Sequence, residues 1–212
     1  NHSEGKSLRL KQQYFLVSAS LQNIIKDHLR RFGSLDTLPA RAAIHINDTH
    51  PALCIPELMR LLMDEHGYSW EAAWDITTRT VAYTNHTVMS EALEKWADDL
   101  VQRRLPRIYS IIREINQRFC GELWNRFPGD WNRIDRMAIL SHGQVKMANL
   151  CVLASHKVNG VSRLHSEIIK ESIFKDFYEI YPQKFCNVTN GIAHRRWLCQ
   201  SNPELTALLT DC

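Results

Sequence analysis

The sequence predicts a helix-rich α/β domain built around a parallel sheet. Two observations lead there. Short apolar runs of strand length alternate with longer stretches of helical period. Three of those runs also feed directly into polar loops rich in Asn, Thr and His, as strand ends do in open α/β sheets.

The elements follow in order. Residues 8–32 read as a long helix, with Leu10, Tyr14, Val17, Leu21, Ile24 and Leu29 near one stripe and Gly33 as the stop signal. Ala42 to Ile46 is an apolar run too brief for a helix, and it leads into Asn47-Asp48-Thr49-His50-Pro51. Pro56 opens a helix to about His66, closed by Gly67. Ser69 caps the next helix, which runs to about Arg79. Thr80 to Tyr83 is a second strand-like run, leading into Thr84-Asn85-His86-Thr87. One long helix is expected over 99–126, ended by Pro128-Gly129, and Met137 to Leu140 is read as a third strand. Helices follow at about 145–156 and 163–180. Phe185 to Val188 is the fourth strand, leading into Thr189-Asn190-Gly191, and a last helix starts at Pro203.

Composition sets limits on function. The chain has 212 residues, 44% hydrophobic and 23% charged, ordinary proportions for a globular protein. A net charge of +3, with the basic pairs Arg30-Arg31, Arg103-Arg104 and Arg195-Arg196 scattered, argues against nucleic acid as a partner. No apolar stretch is long enough to cross a bilayer, and the polar opening Asn1-His2-Ser3-Glu4 is not a signal peptide. The six cysteines (Cys54, Cys120, Cys151, Cys186, Cys199, Cys212) form no CxxC pair, and several lie in apolar runs. Free thiols in a reducing, cytoplasmic compartment are therefore favoured over zinc or disulfides. Sequons at Asn1, Asn47, Asn85 and Asn187 imply no glycosylation without a secretory signal.

The chemistry is concentrated in the three loops: Asn47-Asp48-Thr49-His50, Thr84-Asn85-His86-Thr87 and Asn187-Val188-Thr189-Asn190. If their strands share a sheet, the loops converge beyond its carboxyl edge. Asn, Thr and neutral His both donate and accept hydrogen bonds, and a polyhydroxylated ligand needs that mixture. A phosphate or dinucleotide site would favour clustered glycines, and the chain has no GxGxxG and no GxxxxGK[ST]. Each loop also has a structural reading. Asp48 can cap the following helix, His50 can be a turn residue, His86 can be a buried histidine bonded to backbone, and Asn190-Gly191 is a common turn pair. A metal set of His45, Asp48 and His50 is possible by residue type, but no second His-rich segment has metal-like spacing. Trp70, Trp74, Trp96, Trp124 and Trp131 read as core or interface aromatics.

Several segments together resemble the α-glucan phosphorylase family (glycogen, starch and maltodextrin phosphorylases). They are Ile46-Asn47-Asp48-Thr49-His50-Pro51 with Ile55 to Arg60, and Ala82-Tyr83-Thr84-Asn85-His86-Thr87 with Glu91 to Glu94. Ser155 to Val161 with Leu164 to Glu167, Phe174 to Tyr178, and Val188 to Ile192 with Arg195 to Leu198 complete the set. The resemblance extends from about Leu8 to about Pro203, with the motifs in the family's order.

The resemblance implies a two-domain, GT-B-like fold of two Rossmann-like halves across a cleft. Residues 1–184 would be the later part of the N-terminal domain and residues 185–212 the start of the C-terminal, cofactor domain, making the chain an internal piece of a longer enzyme. It implies phosphorolysis of terminal α-1,4-glucosidic bonds by inorganic phosphate, giving glucose 1-phosphate, with pyridoxal 5'-phosphate as cofactor and a homodimer as the assembly. His86 would contact the glucosyl unit through its side chain and its backbone carbonyl, and Asn190 would bond the same primary hydroxyl. Asp48 and His50 would line the glucose pocket, and Trp197 would sit near the cofactor. The lysine that anchors the cofactor is not among these residues, so the piece alone is expected to be inactive.

The sequence departs from the family at Ala193-His194, where Thr-Pro is usual, and at Ala97, where proline is usual. It departs again at Ile25-Lys26-Asp27-His28, where the animal enzymes carry an arginine pair for a nucleotide activator. Two other readings are a free-standing carbohydrate-binding module and a purely structural helical domain.

Overall fold

The computed structural model describes residues 3–212. It has the helix-rich α/β fold that the sequence predicts. The sequon at Asn1 lies outside the described residues.

Helix α1 (Ser3–Phe32) buries Leu10, Val17, Leu21 and Ile25, one stripe at helical spacing, and ends at Gly33 with φ +74°. That left-handed cap is open to glycine at no steric cost. A short helix α2 (Leu38–Arg41) leads into strand β1 (Ile44–Asn47). Helix α3 (Cys54–Arg60) buries every residue from Cys54 to Met59, and it packs on α1. Its last turns, Leu61–Glu65, widen to π geometry. Helix α4 (Trp70–Thr80) begins at Ser69, whose hydroxyl accepts the Ala72 N–H, and runs straight into strand β2 (Val81–Asn85).

The crossover after β2 is long. Strand β3 (Lys95–Ala97) precedes helices α5 (Asp98–Arg104), α6 (Pro106–Arg126) and α7 (Trp131–Met137). The single helix expected over 99–126 is thus two. Pro106 has no N–H and disfavours helical backbone at Leu105, which sits at φ −135°, ψ 61°. Strands β4 (Leu140–Ser141) and β5 (Gln144–Lys146) form a hairpin through His142-Gly143, both at positive φ as a type I′ turn requires. With β3 they make an antiparallel three-stranded sheet in the order β3-β5-β4.

That sheet corrects the sequence reading twice. The strand expected at Met137 to Leu140 begins only at Leu140 and lies outside the parallel sheet. The helix expected from residue 145 starts at Met147 as α8 (Met147–Ala154), because Val145 is taken by the hairpin. All eight residues of α8 are buried, as its apolar circumference demands.

Strand β6 (Val158–Gly160) follows, and the sequence reading had no strand there. Helices α9 (Arg163–Ile168) and α10 (Lys175–Ile180) are separated by a π turn at Ile169–Ile173, where one helix was expected. Strand β7 (Phe185–Asn187) completes the main sheet, which is wholly parallel in the order β1-β2-β6-β7. Helix α11 (Pro203–Asp211) has no buried residue. Among the described residues no helix is long and apolar enough to cross a membrane.

Candidate functional site

The register of the parallel sheet brings the polar loops to one edge. Asn47 pairs with Thr84, Asn85 with Gly160, and Gly160 with Asn187. The loops after β1, β2, β6 and β7 therefore start level with one another. Three of them are the loops singled out in the sequence.

The first two loops are bonded together. Asp48 N–H donates to Thr84 O at 3.0 Å, and His86 Nε2 lies 2.6 Å from Asn47 Oδ1. An amide oxygen only accepts, so Nε2 carries the proton and His86 Nδ1 is left as an acceptor. His86 is exposed, so Nδ1 is open to a hydrogen-bond donor from outside the fold. Asp48 takes φ +60°, a left-handed position that Asp tolerates, and its Oδ1 accepts the Thr49 N–H at 2.6 Å.

Thr49 is buried, and its hydroxyl donates to Glu94 Oε2 at 3.2 Å. The other Glu94 oxygen accepts from Arg9 at 3.0 Å and Gln13 at 3.2 Å on α1. A helix far away in sequence thus braces the β1 loop. His50 is exposed at the turn before α3. Under the sheet edge, Asn85 Nδ2 donates to Tyr83 Oη at 2.9 Å. Burial foremost, with Cys151 and Asp48 adding, pushes the Tyr83 pKa well up, so its hydroxyl stays neutral.

The third loop is tied in through β6. Asn159 Oδ1 accepts the Val188 N–H at 2.6 Å and its Nδ2 reaches Thr84 Oγ1 at 3.3 Å, spanning three strands with one amide. His45 Nε2 meets the same Thr84 hydroxyl at 2.6 Å. Asn187 Nδ2 donates to Gly160 O at 2.9 Å, and Asn190 N–H donates to Val161 O at 2.9 Å. The Asn190 residue is otherwise exposed. Asn159 was the organising residue that sequence reasoning missed. It lies within the Ser155 to Val161 segment that carries the resemblance, but nothing there marks it as bridging neighbouring strands.

Trp197 stands apart. It is 65% exposed on a segment where Ile192 is 82% exposed and Leu208 61%. Arg195 and Arg196 immediately precede it and are exposed as well, so this segment offers an aromatic face with cationic side chains beside it, a combination that fits an aromatic phosphate ester. Trp124 and Trp131, read as core or interface aromatics, are not in the core: they are exposed and lie against each other with ring centroids 4.5 Å apart. Among the described residues no group of three or more His, Cys, Asp and Glu could hold a metal ion. Cys54 and Cys151 are buried free thiols, whereas Cys199 and Cys212 are exposed.

A cleft of about 610 Å³ opens at the opposite, amino edge of the sheet, lined by Trp70, Trp74, Arg118, Ser155 and Lys184 among others. None of the three polar loops borders it. The polar chemistry faces outward as an open wall at the carboxyl edge, where parallel α/β sheets bind ligands.

The fold and this wall define a parallel-sheet α/β protein whose carboxyl edge presents mixed donors and acceptors of the kind that sugars require. The chain belongs to the carbohydrate phosphorylase family, whose profile matches residues 1–212. It is 57% identical over 210 residues to a glycogen phosphorylase of Bacillus subtilis (strain 168), covering 99% of this chain and 26% of that relative. It is 52% identical over 222 residues to the muscle form of glycogen phosphorylase of Homo sapiens and to the brain form of Mus musculus, again covering 26% of each. The chain thus spans about a quarter of the length of these curated relatives.

Proposed function

We propose that this chain supplies the glucose-positioning wall of a glycogen-phosphorylase-type enzyme. The full-length protein would transfer the terminal α-1,4-linked glucosyl unit of a glucan to inorganic phosphate. The observation that carries this reading is the gathering of His86, Asp48 and Asn190 at one sheet edge, with His86 Nε2 committed to Asn47 and Nδ1 free to accept. In the mechanism, His86 Nδ1 would accept a hydrogen bond from the primary hydroxyl of the glucosyl unit and Asn190 would bond the same hydroxyl. The His86 carbonyl and the Asp48 carboxylate would face the positive charge that develops at the anomeric carbon. Such preorganised groups favour an oxocarbenium-like transition state without themselves transferring a proton. Pyridoxal 5'-phosphate would supply the phosphate group that exchanges a proton with the substrate phosphate. Trp197 would pack near it.

The same reading divides the chain near residue 185. The pairing of β7 with β6 favours moving that division beyond Asn190, so that residues 191–212 begin the second domain. The exposed apolar side chains of Ile192, Trp197, Leu208 and Leu209 suit a segment awaiting the rest of that domain. Family membership supports a homodimer, and the buried free thiols Cys54 and Cys151 suit a reducing cytoplasm.

The test is glucose 1-phosphate formation from maltooligosaccharide and phosphate by the full-length protein. His86→Ala and Asn190→Ala should each lower kcat by roughly 10²–10³ with the melting temperature retained. Full activity in both folded variants would overturn the reading.

A further inference from the structure

We propose that His165 is a positioning residue that sets the spacing between His86 and Asn190; this rests on the function proposed above.

His165 lies on α9 and is 7% exposed. Its Nδ1 accepts the Val161 N–H at 3.0 Å, so that nitrogen carries no proton. The ring proton is then on Nε2, which faces two acceptors, Asn85 Oδ1 and Thr87 O, each at 3.2 Å. These are the residues on either side of His86. Asn85 Oδ1 also accepts the Thr87 N–H at 3.0 Å, closing a turn around His86. Val161 O, on the other side of the imidazole, receives the Asn190 N–H at 2.9 Å. One ring therefore joins the β2 loop to the β6 loop, and the β6 loop holds Asn190.

The ring is itself held firmly. Ser162 Oγ accepts the His165 N–H at 3.1 Å, and Ser166 donates through Oγ to Ser162 O at 2.8 Å. Where Gly160 meets α9, a Cβ on Gly160 would come within 2.8 Å of Ser166 Cα, so the strand backbone packs directly against the helix there. Neutral histidine is suited to this place because it accepts at one nitrogen and donates at the other across a ring of fixed length.

The bland alternative is a buried histidine that merely satisfies its neighbours. Three variants of the full-length protein separate the two. His165→Asn keeps an acceptor near Nδ1 for the Val161 N–H but cannot reach Thr87 O. His165→Gln keeps a donor near Nε2 and loses that acceptor. His165→Ala loses both. Positioning predicts that all three lower kcat for phosphorolysis about 10–100-fold with little change in KM, since a misplacement of about 1 Å costs on that order. It also predicts that His165→Ala costs less than threefold in a His86→Ala background, because the group it places is then gone.

Hydrogen exchange of the same variants gives a readout independent of activity. In His165→Ala the amides of Thr87, Val161 and Asn190 should lose protection together. Equal losses of kcat in both backgrounds, or kcat unchanged in the folded variants, would overturn the proposal. So would protection lost in only one of the two loops, even if the protein proved to have another activity. Absence of phosphorolysis by the wild type, with the three amides still loosening together, would instead count against the proposed function alone.

Discussion

Arg60 closes a two-bonded pair on Glu57, Nε to Oε2 at 2.8 Å and Nη2 to Oε1 at 2.9 Å, and the Glu57 side chain has no exposed surface. Tyr14 Oη at 2.9 Å and Ser18 Oγ at 2.7 Å donate to the same carboxylate from α1. A buried charge thus fastens α1 to α3 just behind the β1 loop. Burial and the neighbouring Glu57 charge push the Tyr14 pKa up, which keeps that hydroxyl a donor. Arg60→Ala would leave the carboxylate unpaired inside the fold, at a cost of about 3–5 kcal/mol. Denaturant unfolding of the full-length protein checks this. The paired change Glu57→Gln with Arg60→Met should cost less than Arg60→Ala alone, because no charge is stranded.

Gly160 permits no side chain. An added Cβ would lie 2.3 Å from Ser166 Oγ, 2.8 Å from Ser166 Cα and 3.0 Å from Ser166 Cβ. Gly160→Ala should therefore destabilise by about 1–3 kcal/mol as α9 is forced off β6. Ser166→Gly should not rescue it fully, since the 2.8 Å approach is to a backbone atom that glycine also has. Thermal melts of the single and double variants decide this, and a neutral Gly160→Ala would refute the close approach.

The contrast between β1 and β6 explains what could be read from the sequence. Strands β1 and β2 announce themselves because an apolar run ends in a cluster of Asn, Thr and His. Strand β6 is three residues long with Val158 as its one large apolar side chain, and the helix read over 145–156 ends directly before it. Its strand character comes from the neighbours it pairs with on both sides, which is tertiary information. The β3 strand fails for the same reason, with Trp96 its only buried residue. Pro106 was visible, yet the apolar period continues through it and hid the break. Among the site residues, His86, Asp48 and Asn190 stood out because their loops are polar. His165 did not: Leu164 to Glu167 carries part of the resemblance, but a helical stretch does not say which side chain reaches a loop. Its role depends on which loops lie opposite.

Lys184 gives a prediction about pH. Its ammonium donates to Val152 O at 3.3 Å and Leu153 O at 2.6 Å at the end of α8, and burial lowers its pKa to about 8. An unfolded lysine titrates near 10.4, so between about pH 8 and 10.4 the unfolded chain binds this proton more tightly. Stability from this group therefore rises with pH across that window and is level below it. Cys54 works the other way, since burial pushes its thiol up to about 12 and the folded state holds that proton. The comparison of wild type with Lys184→Met isolates the lysine. The melting temperature of wild type relative to the variant should climb from pH 8 to pH 10, and a flat difference would contradict the assignment.

Asp48 separates backbone from charge at the site itself. Its φ of +60° suits Asp and Asn, whose short polar side chains bond locally in left-handed backbone. Its Oδ1 holds the Thr49 N–H at 2.6 Å, and an Asn oxygen would do the same. Asp48→Asn should therefore leave stability within about 0.5 kcal/mol of wild type. Asp48→Ala keeps the unfavourable φ and loses the bond, and should cost about 1–2 kcal/mol. If the carboxylate faces positive charge in the transition state, both variants should lower kcat/KM, with Asp48→Asn down about tenfold, or 1.4 kcal/mol. Assays of the two folded variants beside their melting curves distinguish the cases. A fully active Asp48→Asn would leave Asp48 with a backbone role only, and the developing charge would then be met by the His86 carbonyl without it.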